Sequence, residues 1–457
     1  MLLTTHHHAR LILFLAIACT SSCVQVQPKP DFETARDLVE ESTGRREIFD
    51  PYTAALTEDE INAILDEGLT LDEGLRLVLV NNRELQAQFQ EIGIAHADWV
   101  QSQLLTNPSI DLLLRVPSDG GRSMIEAIVG GELLELWRIP VRTEAAQQNL
   151  EATILRIARR SGELIAETRK AYYVAVAAEE LHGVARDNAA LARRSFEAVK
   201  NLHEAGAADA FDENLARGPL LTAQLAIRTA RIEAANAKRD LARMLSVERP
   251  VEDLQLTDPL PTLATTEFDP EALVQRALVS RLDLRAIDTA IKALNARAVL
   301  ERRRAWGDVG AGVTVERPSG SGDPLVGPAF SLTLPIFDQN QAQVARAEFQ
   351  LEQMVKLQES ARVAVSQNVR SSADRAITAS SNLAFYSEEL LPQAQRSLGL
   401  AQESYAAGQT PLLALIEVQR QLVEARRGHV ALRLEASTSS ADLERVVGAV
   451  LSELHLE

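Results

Sequence analysis

Aromatic residues make up only 4% of the 457-residue chain, which contains just four methionines and two cysteines. With so few rings, a conventional thick core is not expected. The hydrophobic 46% rests on alanine and aliphatic residues at helical spacing, which suits close helix–helix packing. Both cysteines, Cys19 and Cys23, end the amino-terminal leader, so the rest of the chain has no disulfide framework and no thiolate metal site. His6, His7 and His8 precede that leader's apolar run, and His96, His182, His203, His429 and His455 stand at no ligand spacing from one another. Beyond the leader there is no run of about 18 apolar residues, which excludes a spanning helix. Basic residues are outnumbered 47 to 64, and a net charge of -17 argues against a nucleic-acid surface. Gly307, Gly310 and Gly312 lie in an alternating segment with no helix directly after it, so they form no phosphate cradle. These exclusions leave no catalytic residue, no metal site and no enzyme.

The leader itself is informative. Arg10 is followed by Leu-Ile-Leu-Phe-Leu-Ala-Ile-Ala over residues 11–18, a hydrophobic region of signal-peptide length. Two lipoprotein readings compete, with Ala16-Ile17-Ala18 before Cys19 or Thr20-Ser21-Ser22 before Cys23. Cys23 is favoured because the polar stretch Val-Gln-Val-Gln-Pro-Lys-Pro then opens the mature chain as a tether. The expectation is a lipoprotein signal peptide over 1–22, a covalent lipid on Cys23 (alternative Cys19) and a lipid-anchored segment over 23–60. Plain secretion with incidental cysteines is the competing reading.

The remainder states one pattern twice. The first statement has a helix-like stretch at 70–104, alternating segments within about 108–137 and Ile139-Pro140-Val141 leading into a long run to about His203. A glycine at Gly206 and a return helix over about 215–247 follow. The second has 270–306, then 308–337, Leu334-Pro335-Ile336, a run from Gln341 to Tyr405, Gly408 and a return from Leu412 to about 448. The two prolines lie 195 residues apart and the two glycines 202, spacing that marks duplication. The domains expected are a first repeat at 61–247, a linker at 248–269, a second repeat at 270–448 and a tail at 449–457. Between Thr143 and Leu202 no proline occurs, and a helix of that length would be a rod of roughly 90 Å. Pro392 is expected to kink or offset the second rod.

The short segments argue against a purely helical scaffold. Val309, Ala311, Val313 and Val315 alternate with Gly310, Gly312, Thr314 and Glu316; Val326, Phe330, Leu332, Leu334 and Ile336 alternate with small or polar residues. One apolar face and one small, polar face is the pattern of a barrel strand with lipid outside and water inside. The first half offers Ile110, Leu112, Leu114 and Val116 at every second position, whereas Glu126, Glu132 and Glu135 blur the outer face over 124–136. Four strands cannot close a lipid-facing barrel, for which about eight is the lower limit, so several chains would have to pool them.

Two stretches carry a family resemblance. Residues 330–347 read Phe-Ser-Leu-Thr-Leu-Pro-Ile-Phe-Asp-Gln-Asn-Gln-Ala-Gln-Val-Ala-Arg-Ala, and residues 401–420 read Ala-Gln-Glu-Ser-Tyr-Ala-Ala-Gly-Gln-Thr-Pro-Leu-Leu-Ala-Leu-Ile-Glu-Val-Gln-Arg. The first resembles the strand-to-helix junction, and the second the periplasmic tip, of the TolC-type outer-membrane efflux factor family, most closely its heavy-metal efflux branch. The resemblance runs from about residue 60 to 450. It implies a mainly α membrane protein, internally duplicated, with a long helical periplasmic tunnel and a trimeric twelve-strand β-barrel to which each chain gives four strands. It also implies a homotrimer in outer-membrane lipid, a periplasmic adaptor protein, and an inner-membrane pump of the RND type that supplies the energy. No cofactor other than the lipid is implied. Pro140 and Pro335 fall at the two strand-to-helix junctions. Gly206, Tyr405, Gly408 and Glu417 fall at the tunnel gate, with Ala414 and Thr410 where the family has a second acid and its basic partner. Three Glu417 carboxylates near an axis would attract cations and repel one another, favouring proton uptake or a bound cation. The stretch Leu334–Asn340 points to heavy-metal cations, while multidrug efflux, a type I secretion duct and a structural periplasmic coiled coil stay open.

Overall fold

The computed structural model describes residues 25–116, 118, 123–250, 254–261, 269–317 and 323–449. They form two compact units. Of the described residues, one comprises those up to Glu33, Gln90–Ile154 and Ala286–Lys356, the other Thr34–Phe89, Leu155–Arg285 and those from Leu357 onward. Each draws on both halves of the duplicated sequence.

Three helices lead in: α1 (Lys29–Thr43), α2 (Glu58–Glu67) and α3 (Leu71–Asn81). The expected polar tether is therefore shorter than the sequence suggested, since Lys29 already begins α1 and Phe32, Ala35 and Val39 are buried. α2 and α3 each start in a capping box, Thr57 with Glu60 and Thr70 with Glu73, in which hydroxyl and carboxylate satisfy each other's backbone N–H groups.

The helix-like stretches at 70–104 and 270–306 are each two helices. α3 gives way to α4 (Arg83–Gln103), and α7 (Pro270–Ser280) to α8 (Leu282–Arg304). The break falls on Asn82 (ψ 116°) and on Arg281 (ψ 122°), both extended. The cause is the return helix of the same repeat. The amides of Asn81 and Asn82 donate to the carbonyls of Leu245 (2.8 Å) and Met244 (2.6 Å), at the end of α6 (Ala210–Met244). In the second repeat the Arg281 guanidinium donates to Val446 O (2.7 Å) and Ser280 Oγ to Val447 O (3.0 Å), at the end of α11 (Leu412–Val447). A helix end leaves carbonyls without partners, and both repeats satisfy them by breaking the neighbouring helix.

α5 (Glu135–Glu204) is one 70-residue helix that takes in Pro140. The first junction is thus not the proline-led start expected from sequence: the helix begins before Pro140, and the 124–136 segment ends as strand at Glu132. In the second repeat Pro335 does precede its helix, α9 (Gln341–Phe385). A π-helical turn, Tyr386–Leu390, then joins α9 to α10 (Leu391–Ala406). The wide turn lies directly ahead of Pro392, whose ring would collide with the carbonyl four residues back in an ordinary helix.

In the larger unit α7, α9 and α11 enclose Leu273, Val274, Ala277, Val365, Val369, Leu443 and Val447. Tyr172 is fully buried there; its hydroxyl donates to Leu69 O (2.9 Å) and accepts from Asp258 N–H (3.0 Å), beside a parallel bridge between Leu69 and Leu256. Burial pushes the phenol up to about 12, so it stays a donor. Burial works against the Asp283 carboxylate too, but the guanidinium groups of Arg281 and Arg159 outweigh it and hold the carboxyl below its usual range.

The smaller unit carries the sheet. Strands β1 (Ser109–Arg115), β2 (Met124–Glu132), β3 (Val309–Arg317) and β4 (Leu325–Leu332) pair antiparallel in chain order. They occupy the expected alternating segments but stop short of 137 and 337. Helical parts of the unit pack through Val141, Ala296 and Leu300. His96 Nδ1 lies 2.5 Å from Asp31 at the start of α1 and meets Trp99 edge-on.

Candidate functional site

The sheet's pairing register assigns every side chain to a face. Ile110, Leu112 and Leu114 align with Val129, Ala127 and Ile125; these align with Val313, Val315 and Arg317. Val309, Ala311, Val313 and Val315 align in turn with Leu332, Phe330, Pro328 and Val326. Apart from Arg317 at the strand end, this face is apolar and open: Leu112 is 74% exposed and Phe330 77%. Glu126 and Glu132, which blurred the sequence pattern, fall on the opposite face with Gly310, Gly312, Thr314 and Glu316. Glu126 stands directly across from Glu316, and Arg115 reaches it at 3.2 Å. The apolar face deduced for the second hairpin therefore extends across all four strands, while the opposite face is mixed, carrying Leu113, Ile128 and Leu325 among its polar and small residues.

Glycine permits the seam between the two hairpins. A Cβ on Gly130 would come 2.9 Å from Ala311 O, and one on its partner Gly312 would strike Val129 O. β1 and β4 are the sheet's two edges, each paired on one side only. An apolar sheet with open edges is unstable in lipid, where every unpaired backbone group costs several kcal/mol. Closure needs strands from further chains.

Where strands meet helices, an ionic cluster sets the junction. Arg138, only 6% exposed, donates to Asp308 (2.7 Å), to Glu135 (3.4 Å) and to Gly307 O. Arg142 donates to Glu135 (2.7 Å) and to the carbonyls of Ser102 (2.9 Å) and Leu104 (2.8 Å), covering the end of α4. Asn340, with φ +57°, does the same for α8 by donating to Glu301 O (2.8 Å). Sequence reasoning put only the prolines here. Glu135, Arg138 and Arg142, spaced to share one helix face, were the available signal.

The two tips are built alike. After α5, Gly206 N–H donates to His203 O (2.9 Å) and Ala207 N–H to Leu202 O (2.8 Å). After α10, Gly408 N–H donates to Tyr405 O (2.9 Å) and Gln409 N–H to Ser404 O (2.9 Å). Both are Schellman closures, and both glycines take the left-handed φ (+74° and +70°) that such a closure favours. The tips pack on each other through Val199, Ala216 and Leu412, with Phe196, Tyr405 and Ile416 alongside. Tyr405 is thus a packed tip aromatic; burial, then the charge of Asp212, raises its phenol. Glu417 is half-exposed and bonded to Arg420 at 2.6 and 2.9 Å and to Gln421 at 3.1 Å. Arg420 foremost, with Gln421, lowers its carboxyl to about 2 within the single chain.

Cys19 and Cys23 lie outside the described residues. Among the described residues no group of three or more His, Cys, Asp or Glu could hold a metal, and no helix is long and apolar enough to cross a membrane.

A duplicated helical chain with a four-strand, lipid-compatible sheet defines an outer-membrane channel subunit. The sequence profile described as outer membrane efflux protein matches residues 74–247 and 273–449, and the chain belongs to that family. It is similar to the cobalt-zinc-cadmium resistance protein CzcC of Cupriavidus metallidurans, 21% identical over 387 residues that cover 83% of this chain and 90% of CzcC. A Pseudomonas aeruginosa membrane protein shares the fold with a TM-score of 0.71 at 21% identity, over 82% of this chain and 93% of that one. The MtrE outer membrane channel of Neisseria gonorrhoeae does so with a TM-score of 0.69 at 20% identity, over 83% and 89%. The family is one of outer membrane efflux proteins, not enzymes.

Proposed function

We propose that this chain forms the outer-membrane exit duct of a tripartite efflux system, as a homotrimer whose twelve pooled strands close the barrel. The observation that carries the reading is the four-strand sheet, apolar over one face and open at both edges. A homotrimer closes those edges with identical β4-to-β1 junctions, as rotational symmetry requires. The duct supplies a water-filled path; an inner-membrane pump of the RND type supplies the energy, and a periplasmic adaptor joins the two. Likeness to CzcC favours cobalt, zinc or cadmium as cargo. Lipid on Cys23 retains the chain at the membrane, and the gate lies at the tips around Gly206, Tyr405, Gly408 and Glu417.

Affinity capture of the detergent-extracted complex tests the assembly: a trimer carrying an adaptor and a pump is expected, and a stable monomer or dimer rejects it. Deletion of the gene should sensitise cells to zinc, cobalt or cadmium; unchanged metal tolerance with new drug sensitivity would reassign the cargo. Intact mass gives the lipid, with an unmodified amino terminus ending that claim. Cys23→Ala should lower yield at the membrane without changing conductance.

A further inference from the structure

At the helical end of the sheet the apolar face runs into exposed rings and a basic helix end. Trp306 is 70% exposed, Phe337 93% and Trp137 44%. α8 ends on Arg302, Arg303 and Arg304. Two of these are already neutralised, Arg302 by Glu348 at 2.7 Å and Arg304 by Glu301 at 2.9 Å. Arg303 is different. Its guanidinium lies over the Trp137 ring, 4.8 Å from the centroid, and donates to the Trp137 carbonyl. Among the described residues no carboxylate pairs with it. A basic helix end ordinarily serves its own last carbonyls, but Arg303 reaches across to the start of α5.

The ring and the carbonyl hold the guanidinium in place without cancelling its charge. Most of its five N–H donors remain for a planar or tetrahedral oxyanion. Leu332, at the helical end of β4, and Leu334 and Ile336 just beyond it are each more than 60% exposed, a surface for acyl chains. Tryptophan and arginine side by side at the limit of an apolar band are suited to the headgroup layer.

We infer that Trp137, Arg303 and Trp306 seat the phosphate of an anionic glycerophospholipid in the leaflet that meets the helices. This rests on the barrel reading above. The full-length assembly is reconstituted into mixed phosphatidylglycerol–phosphatidylcholine vesicles and re-extracted in mild detergent, and the retained lipid is measured by native mass spectrometry. Wild type should retain phosphatidylglycerol preferentially, and Arg303→Gln should lower that preference by about fivefold, the weight of one basic residue at a membrane surface. Arg302→Gln, which removes an already paired charge, should leave it within error. Trp306→Ala is a second handle if Arg303→Gln does not assemble, and should also lower the preference. Equal retention by wild type and Arg303→Gln overturns the inference, as does an equal loss in Arg302→Gln. Displacement of the lipid by excess inorganic phosphate would make the seat one for the free ion and overturn it too. Failure of the wild type to enter either lipid is a separate outcome, which rejects the barrel and the inference with it.

Discussion

The hydroxyl of Tyr386 occupies the space that a Cβ on Gly428 would need, so the π turn at Tyr386–Leu390 seats against α11 only because residue 428 has no side chain. Gly428→Ala forces the ring or the turn to move, and overpacking of this kind costs about 1–3 kcal/mol. Urea unfolding should register the loss. Tyr386→Phe removes the oxygen but leaves Cζ, 2.8 Å from where the new Cβ would lie, so it should restore part of the loss in the double variant; simple additivity of the two changes would mean that the contact does not govern the turn.

Glu417 and Arg420 give opposite expectations for ion selectivity. With its carboxyl lowered from 4.5 to about 2, Glu417 keeps its pairing at full strength above pH 4.5 and loses it only as pH falls toward 2. Titration of conductance between pH 7 and about 5 should therefore be the same in Glu417→Gln as in wild type. Arg420→Gln bares the carboxylate and should raise cation selectivity, and Glu417→Gln should lower it, each by no more than about fivefold because the groups are exposed. Reversal potentials in planar bilayers measure both. Changes of the same sign would remove Glu417 from the gate.

The two faces of β4 should respond unequally to charge. Leu332 lies on the apolar face across from Val309, and Ser331 on the other face across from Gly310. Because Leu332 ends β4 on the headgroup side, Leu332→Arg should cost about 0–1 kcal/mol, whereas Phe330→Arg, on the same face and further into the band, should cost more, toward about 2–4 kcal/mol at the midplane, and Ser331→Arg should spare assembly and alter conductance. Folding yield into vesicles separates them, and equal tolerance of Phe330→Arg and Ser331→Arg would reject the faces.

Removing Arg138 strips Asp308 of its cation and leaves Gly307 O without its donor, while Arg142 still neutralises Glu135. Arg138→Met should cost about 1–2 kcal/mol, because the Asp308 carboxylate it leaves behind is half exposed and solvent answers part of its charge, while Gly307 O loses its donor. Thermal dissociation of the assembly measures it. Asp308→Asn in the Arg138→Met background should recover part of the loss, since a neutral amide tolerates the missing charge.

The hairpins, the long helices and both glycine tips were legible because each is specified locally, by period or by a left-handed glycine. What stayed hidden depends on residues distant in the chain. Nothing near Asn82 or Arg281 marks a helix break; the cause is a set of carbonyls at Met244–Leu245 and Val446–Val447 that need donors. The outward face of β2 was obscured by Glu126 until its register against Glu316 fixed the alternation. Pro140 suggested a helix start by analogy with Pro335, but α5 begins earlier, where Glu135 can meet both Arg138 and Arg142.

The glycine seam at Gly130 and Gly312 bears on the order in which the sheet can form. β1 meets β2, and β3 meets β4, through pairings close in sequence, and isolated hairpins form in about 1–10 μs. β2 and β3 pair Ile125 with Arg317, so that ladder must wait until everything between has folded back on itself. At its closest point there is no side chain to guide the match, and the rows Val129–Val313 and Ala127–Val315 carry the register instead. In the proposed trimer the β4-to-β1 junctions are slower still, because their rate depends on how often chains meet. Refolding should then separate into a phase indifferent to protein concentration, which completes the four-strand sheet, and a later one that quickens as concentration rises.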